Sequence, residues 1–274
     1  MRVIALLATY NEERFIAGCL ENLIRQGLQV YLIDNESTDR TVAIAERYVG
    51  RGLIGIETLP RAGVFSLRQQ CARKEALAAT LDADWFIHVD ADQIVLPARS
   101  TQSLAQALGE VDAQGYNAAY FHHFAFVPTR EAPDHDHPNY QQTMRWYYPH
   151  ELSFPHSLRA WRRQDEAVEL GWSGGHQVRF PGLRMCPSPF RYRHYLFLSI
   201  EHARRKYTQK RFDPAEVADG WHSWRPRLRA ETIRLPSQAE LRFYETDDTL
   251  DHSEPRRTHV VDDAVIENAG IKVE

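Results

Sequence analysis

Trp85-Phe86-Ile87-His88-Val89-Asp90-Ala91-Asp92 is a short β-rich apolar run closed by two acids one residue apart. A run of that length and composition reads as a buried strand of a parallel sheet, and the acids mark its carboxyl end. The same pattern recurs upstream. Residues 2–8 form an apolar run that ends at Thr9-Tyr10-Asn11-Glu12. Residues 29–33 form another, ending at Asp34-Asn35-Glu36-Ser37-Thr38-Asp39, and residues 53–59 a third. Helical spacing fills the gaps. Residues 12–26 place Phe15, Cys19, Leu20, Leu23 and Ile24 on one stripe before a stop at Gly27. Ser37 or Thr38 is placed to cap a helix carrying Val42, Ile44, Ala45 and Tyr48, and residues 65–81 predict a long helix. This β-α-β-α order predicts an α/β fold with a mostly parallel sheet and helices on both faces. Ligands of such sheets bind beyond the carboxyl ends of the strands, and three polar clusters stand at those ends.

The second half is less regular. Residues 118–127 and 157–163 read as strands, and residues 128–155, rich in Pro, His, Asp and Tyr, as a long loop with a lid role. Residues 191–211 read as a strand end followed by a basic helix, and the chain turns polar and Asp-rich after Leu235. The expected organisation is one domain, with a regular α/β half over 1–115 and an irregular half over 116–274.

Composition narrows the function. The 274 residues are 43% apolar and 11% aromatic, ample material for a packed core. Thirty-three Lys and Arg against thirty-seven Asp and Glu give a net charge of −4, which argues against a nucleic-acid binder. Thirteen histidines make the surface charge sensitive below neutral pH. Cys19, Cys71 and Cys186 form no CxxC pair, so neither a zinc cluster nor a disulfide framework is expected. The apolar run after Arg2 is short for a secretory signal, and no stretch approaches the ~18 apolar residues of a membrane span. The expected location is cytoplasmic, with peripheral association at the inner face of the membrane.

Two carboxylates at a strand end can both reach a hard divalent cation, with substrate phosphates filling the remaining positions. Alone, such a DxD reads equally as an acidic turn. In company with the two earlier strand ends, residues 6–13, 32–39 and 88–92 together resemble the opening of family 2 glycosyltransferases of the GT-A fold. That resemblance implies transfer of a sugar from a nucleotide-sugar (UDP-, GDP- or dTDP-linked) to a hydroxyl acceptor, a glycan, glycolipid or small molecule. It also implies Mn²⁺ or Mg²⁺ and inversion at the anomeric carbon. By the same resemblance Thr9, Tyr10 and Asn11 line the nucleoside pocket, Asp34 and Asn35 face the base and ribose, and Arg68 lies near the nucleotide. Asp90 would touch the ribose or a metal-bound water, and Asp92 the metal. Many members carry two adjacent acids where this chain has Asp34-Asn35; an amide donates as well as accepts, which leaves the base preference open.

Arg191-Tyr192-Arg193-His194-Tyr195 with Ser199, His202 and Lys206 resembles a carboxyl-terminal signature of some of these enzymes. It implies His194 as a third metal ligand, and Lys206 with Arg204 or Arg205 as phosphate contacts; a solvated basic helix face is the alternative. The catalytic base falls between the DxD and His194. Glu169 and His176 are the candidates, His176 because the glycine pair Gly174-Gly175 permits close approach. A hairpin of residues 157–163 and 167–171 would put Asp165 and Glu166 at its tip. His122 and His123 should point to opposite faces of a strand, which does not suit a shared ion. Two other functions compete: a sugar nucleotidyltransferase, which would show a Gly-rich basic loop after the first strand, and a non-catalytic nucleotide-sugar or glycan-binding protein.

Overall fold

The computed structural model describes residues 1–208, 210–221 and 228–263. In chain order the elements are β1 (Val3–Thr9), α1 (Ile16–Arg25), β2 (Gln29–Asp34), α2 (Thr41–Ala45), β3 (Leu53–Thr58), α3 (Leu67–Thr80) and β4 (Trp85–Asp90). They continue with β5 (Gln93–Leu96), α4 (Leu104–Ala113), β6 (Ala118–Phe126), α5 (Tyr140–Thr143), β7 (Trp146–His150) and β8 (Leu158–Arg162). The last are β9 (Phe190–Tyr195), α6 (Ile200–Thr208), α7 (Pro214–Ala218) and β10 (Arg242–Phe243). The chain divides into two compact units, one of residues 1–61, 67–122 and 154–193, the other of 62–66, 123–153 and 194–274. The expected cut between 115 and 116 is not followed, because β8 and most of β9 return to the first unit.

In the first unit β1 lies between β2 and β4, parallel to both, and β2 carries β3 on its far side, also parallel. β8 joins β4 antiparallel, and the first part of β6 joins β8. The expected α/β architecture, a mostly parallel sheet flanked by helices, is therefore the one observed. β1 is buried along nearly its whole length, as its unbroken apolar sequence requires. Ile4, Leu6, Ile33, Phe86 and Trp161 meet in one core cluster. α1 buries Cys19, Leu20 and Leu23 of the predicted stripe with Ile16 beside them, while Ile24 is only half-buried. It begins later than expected, since residues 12–15 form a turn in which Phe15 and Ile16 donate to the Glu12 carbonyl. Ser103 and Gln106 form a reciprocal capping box at the start of α4.

Two local expectations fail. α2 starts at Thr41 after Arg40, whose side chain makes no cap; Ser37 and Thr38 are drawn to the loop after β1, and Asp39 Oδ1 accepts from the Thr41 amide at 2.9 Å instead. The hairpin of 157–163 and 167–171 does not form. Instead Leu158 bridges to Gln177 and Glu169 to Arg179.

In the second unit the later part of β6 pairs antiparallel with β7, His123 opposite His150, and β7 pairs with β10. Residues 128–155, expected as a loop, carry α5 and β7 because Tyr140, Met144, Tyr147 and Tyr148 bury apolar surface there. Ala125, Val127, Leu196, Phe197, Tyr207 and Val260 are among the residues of this unit's core. The end of the Asp-rich tail, 264–274, lies outside the described residues. Among the described residues, no helix is long and apolar enough to cross a membrane.

Candidate active site

Strand register brings the polar clusters of the first unit together. Thr9 is paired with Asp34, and Ala8 with both Ile33 and Asp90, so the ends of β1, β2 and β4 are level. The chain leaves β1 toward β2 and β3 on one side and later places β4 on the other, which makes the crevice between β1 and β4 a topological switch point.

The loops after β1 and β2 are stitched to each other. Asn11 Oδ1 accepts from the Thr38 amide at 2.8 Å, and the Asn11 amide donates to Ser37 Oγ at 2.9 Å. Asn11 and Glu36 both adopt positive φ, at 56° and 60°, a left-handed conformation that costs free energy in a residue with a Cβ. Asp34 is buried; its carboxylate accepts from the Ser37 amide at 2.9 Å and from Thr9 Oγ1 at 3.4 Å. Asn35 is buried too, its amide donating to the Leu59 carbonyl and accepting from Gln70. These two side chains, expected to face base and ribose, brace the loops. Around them Tyr10 lies under the Arg61 guanidinium at 3.5 Å, and Glu36 accepts from the Arg61 amide at 2.9 Å. Arg61 Nη1 is buried with no hydrogen-bond partner among the described residues.

The DxD sits in a polar cage. Asp90 Oδ2 accepts from Gln93 Nε2 at 2.8 Å and pairs with Arg159 Nη2 at 3.3 Å, while Oδ1 lies 3.5 Å from His88 Nε2. Arg159 Nη1 donates to Gln93 Oε1 at 2.5 Å, so one guanidinium ties the turn between β4 and β5 to β8. Behind His88, Lys74 Nζ is 3.4 Å from both His88 Nδ1 and the Val89 carbonyl. Burial alone would raise the Asp90 carboxyl; Arg159, the His88 hydrogen bond and Lys74 outweigh it and hold the group well below the usual carboxylate range. Burial, then the Lys74 charge, pushes His88 down to about 4, and burial pulls Lys74 down to about 8 against the attraction of Asp90. His88 is therefore neutral at pH 7 and Asp90 ionised. Asp92 is buried at the turn into β5, and Asp90 keeps 42% of its side chain exposed.

His176 comes to the same place. Gly175 lies so close to His88 that a Cβ there would stand 2.6 Å from its Cε1, and its φ of 81° favours glycine. His176 stacks on His156 with centroids 4.5 Å apart. His176 is exposed, yet the protein packed around it, then His156 and Arg159, hold its pKa well below the ordinary histidine value.

The other expected site residues have contacts of their own. Glu169 is half-exposed and commits its carboxylate to Arg179, which argues against it as a base. Arg68 is an exposed residue in the first turn of α3. In the second unit, Arg204 donates to the Ala230 carbonyl, Lys206 to the Leu196 carbonyl, and Arg205 pairs with Asp136. These are the contacts of a helix fastened to its surroundings and not of a phosphate cradle. His194, also in the second unit, has Nδ1 3.0 Å from His123 Nε2. A cavity of about 580 Å³ in the same unit is lined by Val64, Tyr207, Lys210, Phe212, Leu228 and Arg229 among others, none of them a DxD-cage residue.

The chain matches the sequence description of Glycosyl transferase family 2 over residues 5–168, more than half its length. It belongs to glycosyltransferase family 2. No curated protein matches it significantly. Similar solved structures include TarS of S. aureus, at 15% identity and a TM-score of 0.45, covering 72% of this chain and 37% of TarS. A 1–349 fragment of TarS in complex with UDP-GlcNAc is 15% identical with a TM-score of 0.42, covering 71% and 58%. Glucosyl-3-phosphoglycerate synthase from Mycobacterium tuberculosis, in complex with Mn²⁺, UDP and phosphoglyceric acid, is 16% identical with a TM-score of 0.32, covering 44% and 43%. The chain thus spans less than two thirds of the length of each of those chains.

Within this family 2 chain, several cage residues escaped the sequence reading. Arg159 had a visible signal: it is the single charge inside Leu158-Arg159-Ala160-Trp161, and a charge in a buried strand demands a partner. Lys74 interrupts the buried face of α3 in the same way. Gln93 and Arg61 gave no signal, since polar residues after strands are ordinary.

Proposed function

We propose that this chain transfers a glycosyl group from a nucleoside-diphosphate sugar to a hydroxyl acceptor, with a hard divalent cation and inversion at the anomeric carbon. The observation that carries the reading is the Asp90–Gln93–Arg159 cage beside Asp92, level with the Thr9 and Asp34 strand ends. The donor set fits Mn²⁺ or Mg²⁺, because both ligands are carboxylate oxygens and one of the two keeps an open face. Asp92 would hold the cation directly, with Asp90 touching it or its water; bound there, the cation offsets charge on the departing diphosphate.

The chain's own groups supply the rest. His88, Gln93 and Arg159 fix the orientation of Asp90 and keep it ionised. Tyr10, Asn11 and Arg61 receive the nucleoside, on loops braced by Thr9, Asp34 and Asn35, and Arg61 Nη1 offers its unused donor to the nucleotide. His176 accepts the acceptor hydroxyl's proton at a ring nitrogen; it is unprotonated at pH 7, and its lowered proton affinity makes it a weaker base than an ordinary histidine. The acceptor is a glycan, a lipid-linked sugar or a small molecule, and a lipid-linked one would bring the chain to the inner face of the membrane.

A melting-temperature screen of UDP-, GDP- and dTDP-sugars with and without Mn²⁺ tests donor binding. At 100 times Kd, a ligand of the folded state adds about 2.7 kcal/mol of stability. One donor should raise the melting temperature, and more so with Mn²⁺; no shift with any donor would contradict the proposal. Replacing His176 by Ala should suppress transfer while leaving the donor shift intact.

A further inference from the structure

The second unit contains four imidazoles, on four chain segments, that the donor site does not use. We infer that His123, His150, His194 and His259 form a nitrogen-donor site for a borderline transition ion such as Zn²⁺, Co²⁺, Ni²⁺ or Cu²⁺. His123 on β6 and His150 on β7 are directly paired across the antiparallel ladder. His194 stands near the end of β9, and His259 comes from the carboxyl-terminal segment. His123 is central: its ring centroid is 4.9 Å from that of His194, 5.0 Å from His150 and 5.5 Å from His259.

One pair of nitrogens already stands at the spacing of two ligands on a common ion. His123 Nε2 and His194 Nδ1 are 3.0 Å apart. Two imidazoles on one tetrahedral Zn²⁺, with Zn–N near ~2.05 Å, place their nitrogens about 3.3 Å apart. A ring nitrogen of His123 and one of His150 lie within 4.8 Å, so a side-chain rotation of modest size brings a third donor in. His150 and His259 are stacked at 4.0 Å and 21°, and parallel rings do not aim at one point. The two therefore separate as the ion enters.

The surroundings favour the lone pairs a metal needs. His259 Nδ1 is 2.9 Å from Tyr148 Oη, which also accepts from the Val260 amide at 3.3 Å. In the tautomer where Nδ1–H donates to Tyr148, Nε2 of His259 carries the lone pair that ligates. Outer partners of this kind fix ring orientation in metal sites. Tyr148 and Val260 belong to the unit's apolar core, which limits competing water. An all-nitrogen set selects these ions over Mg²⁺ or Ca²⁺, so it differs in chemistry from the oxygen donors of the DxD. Bound, the ion would join the carboxyl-terminal segment to the β6–β7 pair.

The test uses the full chain without an affinity tag, stripped with a chelator and titrated with Zn²⁺ against a chromophoric competitor. One Zn²⁺ per chain is expected, with a raised melting temperature, and Co²⁺ should give the visible bands of a tetrahedral nitrogen site. His150→Gln and His123→Gln should each lose stoichiometric binding; Tyr148→Phe should weaken it by about 10–100-fold. His259→Gln, at a half-buried position, is the variant least exposed to misfolding and should weaken it as well. Asp92→Asn should bind Zn²⁺ like the wild type, which keeps this outcome separate from that of the donor site. No stoichiometric binding by the wild type would overturn the inference. So would binding that survives both His123→Gln and His150→Gln, or binding lost in Asp92→Asn; the rings would then be hydrogen-bonded core histidines only.

Discussion

Asp90 and Asp92 are one residue apart yet differently equipped. Asp90 is held by three side chains and stays ionised, while Asp92 is buried at the start of the next turn. Arg159 is the residue on which Asp90 depends most, since it reaches both the carboxylate and Gln93. Arg159→Met should therefore destabilise the chain by about 1–3 kcal/mol, less than for a fully buried ion pair because Asp90 is 42% exposed. Chemical denaturation measures this directly, and a loss under about 1 kcal/mol would show that water replaces the guanidinium. Arg61→Met removes a buried donor that has no partner among the described residues, so stability should change little while donor affinity falls by about tenfold, read by calorimetric titration. Unchanged donor affinity would remove Arg61 from the site. Of these residues the sequence made the two aspartates legible, through the strand they close. The partners of Asp90 come from β8 and from the turn into β5, and a long-range ion pair has no signature at either end beyond a charge in an apolar run.

At the scale of elements, the ladder β1–β2–β4 was legible because an unbroken apolar run of six or so residues, bounded by polar clusters, fits little besides a buried strand. The loops at its ends were misread in one respect. Ser37 and Thr38 carry good capping chemistry, but their groups are spent on Asn11, so the Thr41 amide at the start of α2 turns to Asp39. The segment 167–177 was harder still, since a hairpin and a bridged loop share the same turn residues. That segment delivers Gly175 and His176 to His88. Gly175→Ala meets both a left-handed φ and the His88 ring, and it should cost more than the ~1–2 kcal/mol of the backbone term, with a large loss of activity. Gly182→Ala is the control. Its φ is 71° with open space around the added carbon, so it should cost only the backbone term and leave turnover unchanged. Equal stability and activity in the two variants would show that the Gly175–His88 approach is unimportant.

For the whole molecule, buried neutral histidines set the acid limit of stability. Burial first, then Arg159 for His156 and Lys74 for His88, takes both down to about 4 from 6.5. Below pH 6.5 the unfolded chain binds protons that these rings in the folded chain refuse, so stability is full above that value and is lost as pH falls toward 4. A shift of that size corresponds to on the order of 3 kcal/mol for each ring. His135 and His252, also lowered by burial first, add in the same direction. The melting temperature should therefore decline steadily from about pH 6.5 to 5, before most carboxylates titrate, and a flat profile there would contradict the burial of these rings. None of this was readable from thirteen histidines in a sequence, because burial is a property of the packed chain. In the proposed function, the end of β4 holds a divalent cation for the donor diphosphate. The most direct measurement of that role is release of nucleoside diphosphate from a panel of UDP-, GDP- and dTDP-sugars, with and without Mn²⁺, by the wild type and Asp92→Asn at matched melting temperature. Release from one donor by the wild type, only with metal, and none by Asp92→Asn is the predicted result; equal rates without metal, or an Asp92→Asn variant as active as the wild type, would contradict it.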